Sequence, residues 1–283
     1  MRAAVRAKVE SAEINREPFP HVVVADLLPE PFFERLAASI PPLEMFKQSP
    51  YGIKADLPLG EHQKVFVAAP EEFKSVWREW RDEILRKTIA PALVRRLEPE
   101  IRGKYAQLLS PELADRIMAE GLVSADGRIM SRRPGYVLKA HTDSAHFAVT
   151  CLLYFTEAAD QSSGALCLFR PERRPELKHL GTYYAEEEEG IGAELVRAIP
   201  IRANLFVAFL NGPTSLHGVS IERVGKAEQT RSRITYQAHI LPLNDVRREA
   251  EEFVDELPEP AARRRWRRYV EQLRETRKSG TVG

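Results

Sequence analysis

Two histidines and an aspartate stand out in the sequence because their types and positions could hold a metal ion. His141 and Asp143 come just after a short strand-like run, and His217 comes just after another, 76 residues further along the chain. Two imidazoles and one carboxylate can occupy one face of an octahedral metal and leave three positions open, as in non-haem Fe(II) oxygenases. We therefore predict that His141, Asp143 and His217 converge on one metal, with open positions for chemistry.

An arginine beyond the second histidine adds a second chemical feature. Arg231 lies 14 residues after His217, at the start of the last strand-like segment, residues 230–236. If this strand returns past the metal, an inward guanidinium would bind a carboxylate through paired, charge-assisted hydrogen bonds, which predicts a dicarboxylate co-substrate. Alternate residues of a strand share a face, so Arg233 is the alternative anchor, or a residue that contacts the organic substrate.

Short strands are the elements that must position these residues. After Gly121 the chain contains seven strand-like runs separated by glycine, proline and polar loops, at residues 128–132, 136–140, 146–155, 165–169, 195–199, 205–210 and 231–240. Such a series is typical of a sandwich or jelly roll and not of an alternating βαβ sheet. The four glutamates of residues 186–189 predict a solvated, mobile loop, with a lid over the site as the alternative.

Helical patterns flank this β region on both sides. Residues 21–24 predict a strand, and residues 31–36 predict a helix with proline in its first turn. From Glu71 the apolar residues recur at spacings of three and four, which predicts a helix that buries Trp77 and Trp80 against the β core. Pro91 should end or kink that helix.

We expect one mainly β (α+β) domain over residues 1–283. It would comprise an N-terminal strand and helices in residues 1–125, a β core in residues 126–242 and a C-terminal helical extension in residues 243–283. The N-terminal helices should pack on one outer face of the core.

Composition excludes several classes of function. The chain has 42 Lys and Arg against 41 Asp and Glu, a net charge of +1, so no overall field attracts nucleic acid or a membrane surface. The arginines around Trp266 fit a solvated helix face better than a nucleic-acid site. Cys151 and Cys167 lie in apolar runs and are interpreted as buried thiols, which excludes a disulfide framework. No apolar stretch approaches the roughly 18 residues of a membrane span, so we expect a cytoplasmic protein.

Six motifs in order resemble the 2-oxoglutarate and Fe(II)-dependent dioxygenases of the prolyl-4-hydroxylase-like group. They are GYVLKAHTD at 135–143, VTCLLYF at 149–155, SGALCLF at 163–169, NLFVAF at 204–209, LHGV at 216–219 and TR at 230–231. The resemblance spans about residues 128–240. The segment PFPHVVV at 18–24 also resembles the start of many bacterial members.

The resemblance implies a double-stranded β-helix, the jelly-roll or cupin-like fold, with His141, Asp143 and His217 as the iron ligands. It further implies that Arg231 forms a salt bridge with the distal carboxylate of 2-oxoglutarate, and that the Tyr154 hydroxyl adds a hydrogen bond to that carboxylate. A core tyrosine is the other interpretation of Tyr154. The cofactors implied are Fe(II), 2-oxoglutarate as co-substrate and O2.

The activity implied is hydroxylation, or desaturation, of an unactivated C–H bond while 2-oxoglutarate is decarboxylated to succinate and CO2. Asp143 favours this over halogenation, since related halogenases have a small residue there. The sequence departs from the group at Ser163, where a second glycine is commoner, and at Arg233, where a small or hydroxylated residue often stands. The second departure leaves the choice between Arg231 and Arg233 open.

The substrate class has more than one candidate. Near-neutral charge and the lack of an appended recognition domain favour a small molecule, such as an amino acid or biosynthetic intermediate, over a peptidyl-prolyl substrate. A non-catalytic, metal-binding β-barrel regulatory module is the alternative of a different class, although such a module needs no carboxylate anchor. No oligomeric state is predicted. Several polar residues lie near motif ends, where a pocket mouth would form, although each fits a structural or solvated role better: Arg132, Arg133, Lys139, His146 and Asn211.

Overall fold

Two antiparallel β-sheets form the framework of the protein in the computed structural model, which describes residues 1–49, 52–156, 164–176, 181–221 and 232–242. The strands are β1 Ile14–Asn15, β2 His21–Val24, β3 Lys47–Gln48, β4 Lys54–Pro58, β5 Leu122–Ser124, β6 Arg128–Arg132, β7 Val137–His141, β8 Val149–Tyr154, β9 Leu166–Pro171, β10 Ala193–Ile199, β11 Phe206–Leu210, β12 Leu216–Ser220 and β13 Arg233–Pro242. The larger sheet has the order β1-β2-β11-β8-β13-β6-β4-β3, with β5 paired to β13, and the smaller has the order β10-β9-β12-β7.

Helices occupy the N-terminal part of the chain and one connection between strands. They are α1 Arg2–Ser11, α2 Glu30–Ala38, α3 Lys64–Ala68, α4 Glu71–Arg78, α5 Ala90–Arg96, α6 Glu98–Leu108, α7 Pro111–Glu120 and α8 Ala185–Glu189, with a 3-10 turn at Leu43–Met45 and a π-helical segment at Glu79–Ile89. Proline stands in the first turn of α2, α6 and α7, where its missing N–H costs no hydrogen bond. None of the described helices has the length and apolarity needed to cross a bilayer.

Strand alternation divides the apolar residues into two cores. On β8, Cys151 and Leu153 belong to the core that also contains the helices, whereas Leu152 and Tyr154 belong to a core shared with β9 and β11. Every residue of β8 is buried because both of its faces are covered. This explains why the sequence shows continuous apolar runs where a half-exposed strand would alternate.

The helical layer covers the outer face of the larger sheet. Trp77 of α4 and Trp80 of the π-helical segment are buried, and both pack on Tyr236 of β13, with ring centroids 5.9 and 5.5 Å apart. The Tyr236 hydroxyl donates to the carbonyl of Asp126 at 2.9 Å, so its one polar atom in this core is satisfied. Pro91 stands in the first turn of α5 and does not end the helical run.

The prediction of an antiparallel β core, with helices in the N-terminal part of the chain, is confirmed with several local differences. The glutamates of residues 186–189 belong to the short helix α8, where a mobile loop was expected. Five strands of five residues or fewer were not among the predicted runs: β1, β3, β4, β5 and β12. His217 therefore lies inside strand β12, although it was expected just after a strand. Cys151 is buried as expected, but Cys167 is only half-buried; both thiols are free. The predicted C-terminal helical extension, residues 243–283, lies outside the described residues.

Replacement of Trp80 by alanine tests the packing of the helical layer. Trp80 is fully buried, so the change leaves a cavity against Tyr236 and should lower the free energy of unfolding by about 3 to 5 kcal/mol. Urea denaturation followed by circular dichroism measures this loss. Val67→Ala is the control, because Val67 is 59% exposed and its loss should cost less than about 0.5 kcal/mol. Equal effects of the two changes would contradict the packing described.

Candidate metal centre

Antiparallel pairing of β7 and β12 places the two histidines side by side. His141 is the last residue of β7, and its partner across the ladder is His217 of β12. The register shifts just after this pair, at Gly218, where an added Cβ would lie 2.6 Å from the carbonyl oxygen of Leu138. Only glycine permits this close approach of the two strands, so Gly218 contributes to the pairing of the histidines.

The three predicted ligands face one another. Nε2 of His141 lies 3.7 Å from one carboxylate oxygen of Asp143, and Nε2 of His217 lies 3.7 Å from the other. One ligating atom from each of the three residues lies within 4.8 Å of the other two. The structure thus brings together residues that are 76 positions apart in the sequence.

Backbone carbonyls fix the orientation of both rings. Nδ1 of His141 is 2.9 Å from the carbonyl oxygen of Lys139, and Nδ1 of His217 is 3.1 Å from that of Ser215. A carbonyl can only accept, so Nδ1 carries the proton in each ring and Nε2 presents its lone pair to the centre. This is the tautomer that a metal requires.

The charge states also suit a metal. Burial acts to raise the pKa of Asp143, but the neighbouring imidazoles, that of His217 first and that of His141 next, hold that pKa well below its usual range. Burial lowers the pKa of His217 to about 4. At neutral pH the centre therefore contains a carboxylate and a neutral imidazole at His217. Two imidazole nitrogens and a carboxylate oxygen are a donor set that fits Fe(II), and the centre opens into a cavity where further ligands can bind.

A hydrogen-bonded group behind Asp143 was not foreseen as a unit. The Thr150 hydroxyl donates to Asp143 Oδ2 at 2.6 Å and accepts from Nδ2 of Asn211 at 2.8 Å. Nδ1 of His239 lies 3.1 Å from the same hydroxyl, and the His239 ring stacks on Phe147. Strand alternation could have indicated this group from the sequence. Thr150 lies on the same face of β8 as Tyr154, and His239 lies on the same face of β13 as Arg233.

The centre opens into a cavity of about 180 Å³ between the two sheets. Its apolar walls include Leu152, Leu166 and Phe209, and Thr235 and Gln237 add polar groups. Four cations also line the cavity: Lys54, Arg128, Arg132 and Arg233.

Arg233 is held inside the cavity by two neighbours. It is 6% exposed, its Nη1 donates to the carbonyl of Gly164 at 2.7 Å, and its Nη2 donates to the hydroxyl of the fully buried Tyr154 at 3.1 Å. Burial raises the pKa of Tyr154, with Arg233 opposing, so the hydroxyl is neutral. Among the described residues, no carboxylate lies within ion-pair distance of Arg233. A buried guanidinium without an acidic partner among the described residues can bind an anion from outside the protein.

The remaining polar residues that the sequence analysis named do not join the three candidate ligands in the described structure. Arg231 lies outside the described residues, so the expectation that it lines the site stays a prediction. Lys139 is exposed and forms an ion pair with Glu187 of α8 at 2.7 Å. Tyr184, next to α8, stacks on His141 with ring centroids 5.4 Å apart and lines the cavity. His146 is bonded to Ser144 and stays apart from the three ligands.

No family model matches the chain, and no curated protein does. Among solved structures, a prolyl 4-hydroxylase from Phytophthora capsici is 17% identical with a TM-score of 0.46, and the match covers 86% of this chain and 65% of that one. A Pseudomonas putida prolyl-4-hydroxylase is 15% identical with a TM-score of 0.44, covering 86% and 100%. HygX from Streptomyces hygroscopicus, with nickel, 2-oxoglutarate and hygromycin B bound, is 13% identical with a TM-score of 0.43, covering 79% and 83%.

Prolyl 4-hydroxylases are thus among the similar solved structures, and theirs is the group that the sequence resembles. All these identities lie below 25% and all these TM-scores below 0.5.

Thr150→Val tests the support of Asp143. Valine matches threonine in shape but removes the hydroxyl that donates to the carboxylate, so the affinity for a divalent metal should fall about 10- to 100-fold. Titration of the metal-free protein with Mn(II) by calorimetry measures the change. Thr150→Ser keeps the hydroxyl and should retain most of the affinity. Equal losses in both variants would show that packing, and not the hydrogen bond, is responsible.

The stability of the metal-free protein should fall as pH decreases from 6.5 to 5. Burial lowers the pKa of His217 and of His239 to about 4, so in this range the unfolded chain binds protons that the folded chain does not. Each histidine should contribute up to about 1.4 kcal/mol per pH unit. Urea denaturation across the range measures the slope, which His239→Gln should make shallower. An unchanged slope in that variant would contradict the assignment.

Proposed function

We propose that the protein is an Fe(II)- and 2-oxoglutarate-dependent dioxygenase that hydroxylates an unactivated C–H bond of a small molecule. One observation carries the proposal: the group of His141, Asp143 and His217 shares a cavity with Arg233, a buried guanidinium without an acidic partner among the described residues. A metal-binding module without turnover needs the three ligands but has no use for a buried guanidinium in the same cavity.

The protein's own residues would bind and orient the co-substrate. Arg233 would bind the distal carboxylate of 2-oxoglutarate through paired hydrogen bonds, and Tyr154 and Gly164 hold the guanidinium in place for this. Of its five N–H groups, two are used by these contacts, which leaves donors for a carboxylate. The 2-oxo acid end would then face the three ligands across the cavity.

When bound, Fe(II) supplies the activation of O2 that couples decarboxylation of 2-oxoglutarate, to succinate and CO2, with hydroxylation of the substrate. The protein would hold the metal through His141, His217 and Asp143, and the Thr150 hydroxyl, which donates to Asp143, would restrain the carboxylate. The apolar walls formed by Leu152, Leu166 and Phe209 exclude water from the reacting groups. A cavity of about 180 Å³, which 2-oxoglutarate must share, supports a small substrate.

Anaerobic reconstitution tests the proposed reaction. The metal-free protein is loaded with Fe(II) and 2-oxoglutarate, exposed to O2 with a library of amino acids, biosynthetic intermediates and prolyl peptides, and assayed for succinate. Succinate formation should require both additions and rise with one class of compound. His141→Ala should abolish it. Failure to bind either Fe(II) or 2-oxoglutarate would contradict the proposal, and stimulation by prolyl peptides alone would favour a peptidyl hydroxylase.

Arg233→Ala tests the co-substrate anchor. Loss of a desolvated, charge-assisted contact costs about 2 to 5 kcal/mol, so the KM for 2-oxoglutarate should rise about 30-fold or more while Fe(II) affinity changes little. Arg231→Ala is the matched control from the same segment and should have a much smaller effect. The opposite pattern, with loss only in Arg231→Ala, would restore Arg231 as the anchor. No effect in either variant would remove 2-oxoglutarate from the proposal.

A further inference from the structure

Three cations stand in one row across the larger sheet. In the register of the strands, Lys54 of β4 pairs with Arg132 of β6, and Arg132 pairs with Arg233 of β13. All three line the cavity that contains the metal ligands, as does Arg128, four residues before Arg132 on β6. Like charges directly opposite one another destabilise a sheet, so this row needs compensating negative charge.

Arg132 is the most buried member of this group apart from Arg233. It is 7% exposed, and its Nη1 donates to Asp56 Oδ1 at 2.7 Å and to the carbonyls of Ala55 and Ser131 at 3.0 and 2.9 Å. Among the described residues, Nε and Nη2 of Arg132 have no acceptor. Part of a nearly buried guanidinium therefore remains available to a ligand in the cavity.

The described residues neutralise only part of the positive charge of Lys54, Arg128 and Arg132. Asp56 is the one carboxylate within ion-pair distance of Lys54, Arg128 or Arg132 in the described parts of the chain, at 2.7 Å from Arg132 and 3.7 Å from Arg128. The Lys54 ammonium has no ion-pair partner there. Desolvation lowers the pKa of Lys54, Asp56 opposes this, and the two guanidinium charges lower it further. Lys54, Arg128 and Arg132 together carry three positive charges against the one negative charge of Asp56, so two positive charges remain unbalanced among the described residues.

The metal and co-substrate of the proposed function do not remove this excess. The two charges of Fe(II) and the one of Arg233 are balanced by Asp143 and the two carboxylates of 2-oxoglutarate. The surplus at Lys54, Arg128 and Arg132 is therefore left for another ligand in the same cavity. The substrate is the remaining molecule that the reaction brings there.

We propose that the substrate carries a carboxylate or phosphate group, and that Lys54, Arg128 and Arg132 bind this anion while the carbon to be oxidised faces the metal. This inference rests on the proposed function and adds the substrate's charge to it. Arg132 would supply the directional hydrogen bonds, because a guanidinium matches the geometry of both anions. Lys54 and Arg128 would add charge nearer the solvent.

Paramagnetic relaxation tests the anion site without turnover. The protein, in excess over Mn(II) and saturated with 2-oxoglutarate, is titrated with 13C-labelled acetate or with inorganic phosphate, and the relaxation rates of 13C or 31P are measured against a Zn(II)-loaded reference. Either anion, or both, should show a saturable enhancement, and the two arms distinguish carboxylate from phosphate. Labelled acetamide, matched to acetate in size but neutral, should show little enhancement.

Variants assign the effect to the cluster. Arg132→Gln and Lys54→Gln should each weaken anion binding about tenfold and leave 2-oxoglutarate affinity, measured by calorimetry, within about twofold. Lys54 is exposed, so Lys54→Gln should fold normally, and its anion affinity tests the proposal if Arg132→Gln fails to fold. Arg133→Gln is the matched control, since Arg133 is the next residue but does not line the cavity, and it should bind as the unaltered protein does.

The outcomes separate this inference from the function on which it rests. Failure of Mn(II) or 2-oxoglutarate to bind would overturn both. Normal binding of these two, with equal enhancement for acetamide and acetate or unchanged anion affinity in Lys54→Gln and Arg132→Gln, would overturn only the anionic substrate. A tenfold loss of 2-oxoglutarate affinity in these variants would also overturn it, because the cluster would then serve the co-substrate.

Discussion

The cross-strand pair of His141 and His217 is the contact on which the site depends. These residues are far apart in the chain, so their approach relies wholly on the ladder between β7 and β12. The ladder in turn needs Gly218, because any side chain there would collide with the backbone of the neighbouring strand. A backbone constraint therefore determines how the two histidines meet, and the hydrogen bond from Thr150 acts on the third residue, Asp143.

Both faces of the larger sheet are used, and for different purposes. The outer face carries aromatic and aliphatic residues that pack on the helices, including Tyr236 against Trp77 and Trp80. The inner face carries the cations and polar groups that line the cavity. Strand alternation lets β13 serve both purposes within a few residues, because Arg233 faces inward and Tyr236 faces outward. The packed outer face supplies the stability that holds charged side chains in place on the inner one.

Among the described residues, the positive charges that line the cavity are only partly balanced by acidic side chains. Arg132 and Arg233 are both nearly buried, and between them they have one acidic partner among the described residues. Buried charges that lack partners are costly, so such an arrangement is retained where ligands complete it. The free protein is accordingly arranged for anions that arrive from solution, with the metal ligands at one part of the cavity wall and the arginines at another.

The sequence by itself predicted the candidate metal ligands and the general architecture. His141 and Asp143 are recognisable because residue type and position at the end of a strand are local properties, and the helical face of Trp77 and Trp80 follows from local periodicity. His217 was identified by its residue type and its place in the motif order, since its strand β12 was not predicted. Alternation also predicted that Arg231 and Arg233 share a face. Only the tertiary structure placed Arg233 in the cavity with Tyr154, assembled Thr150, Asn211 and His239 behind Asp143, and aligned Lys54 with Arg132. These arrangements depend on the register between strands distant in sequence, and register is decided by the packing of the whole sheet, which no local pattern of residues records.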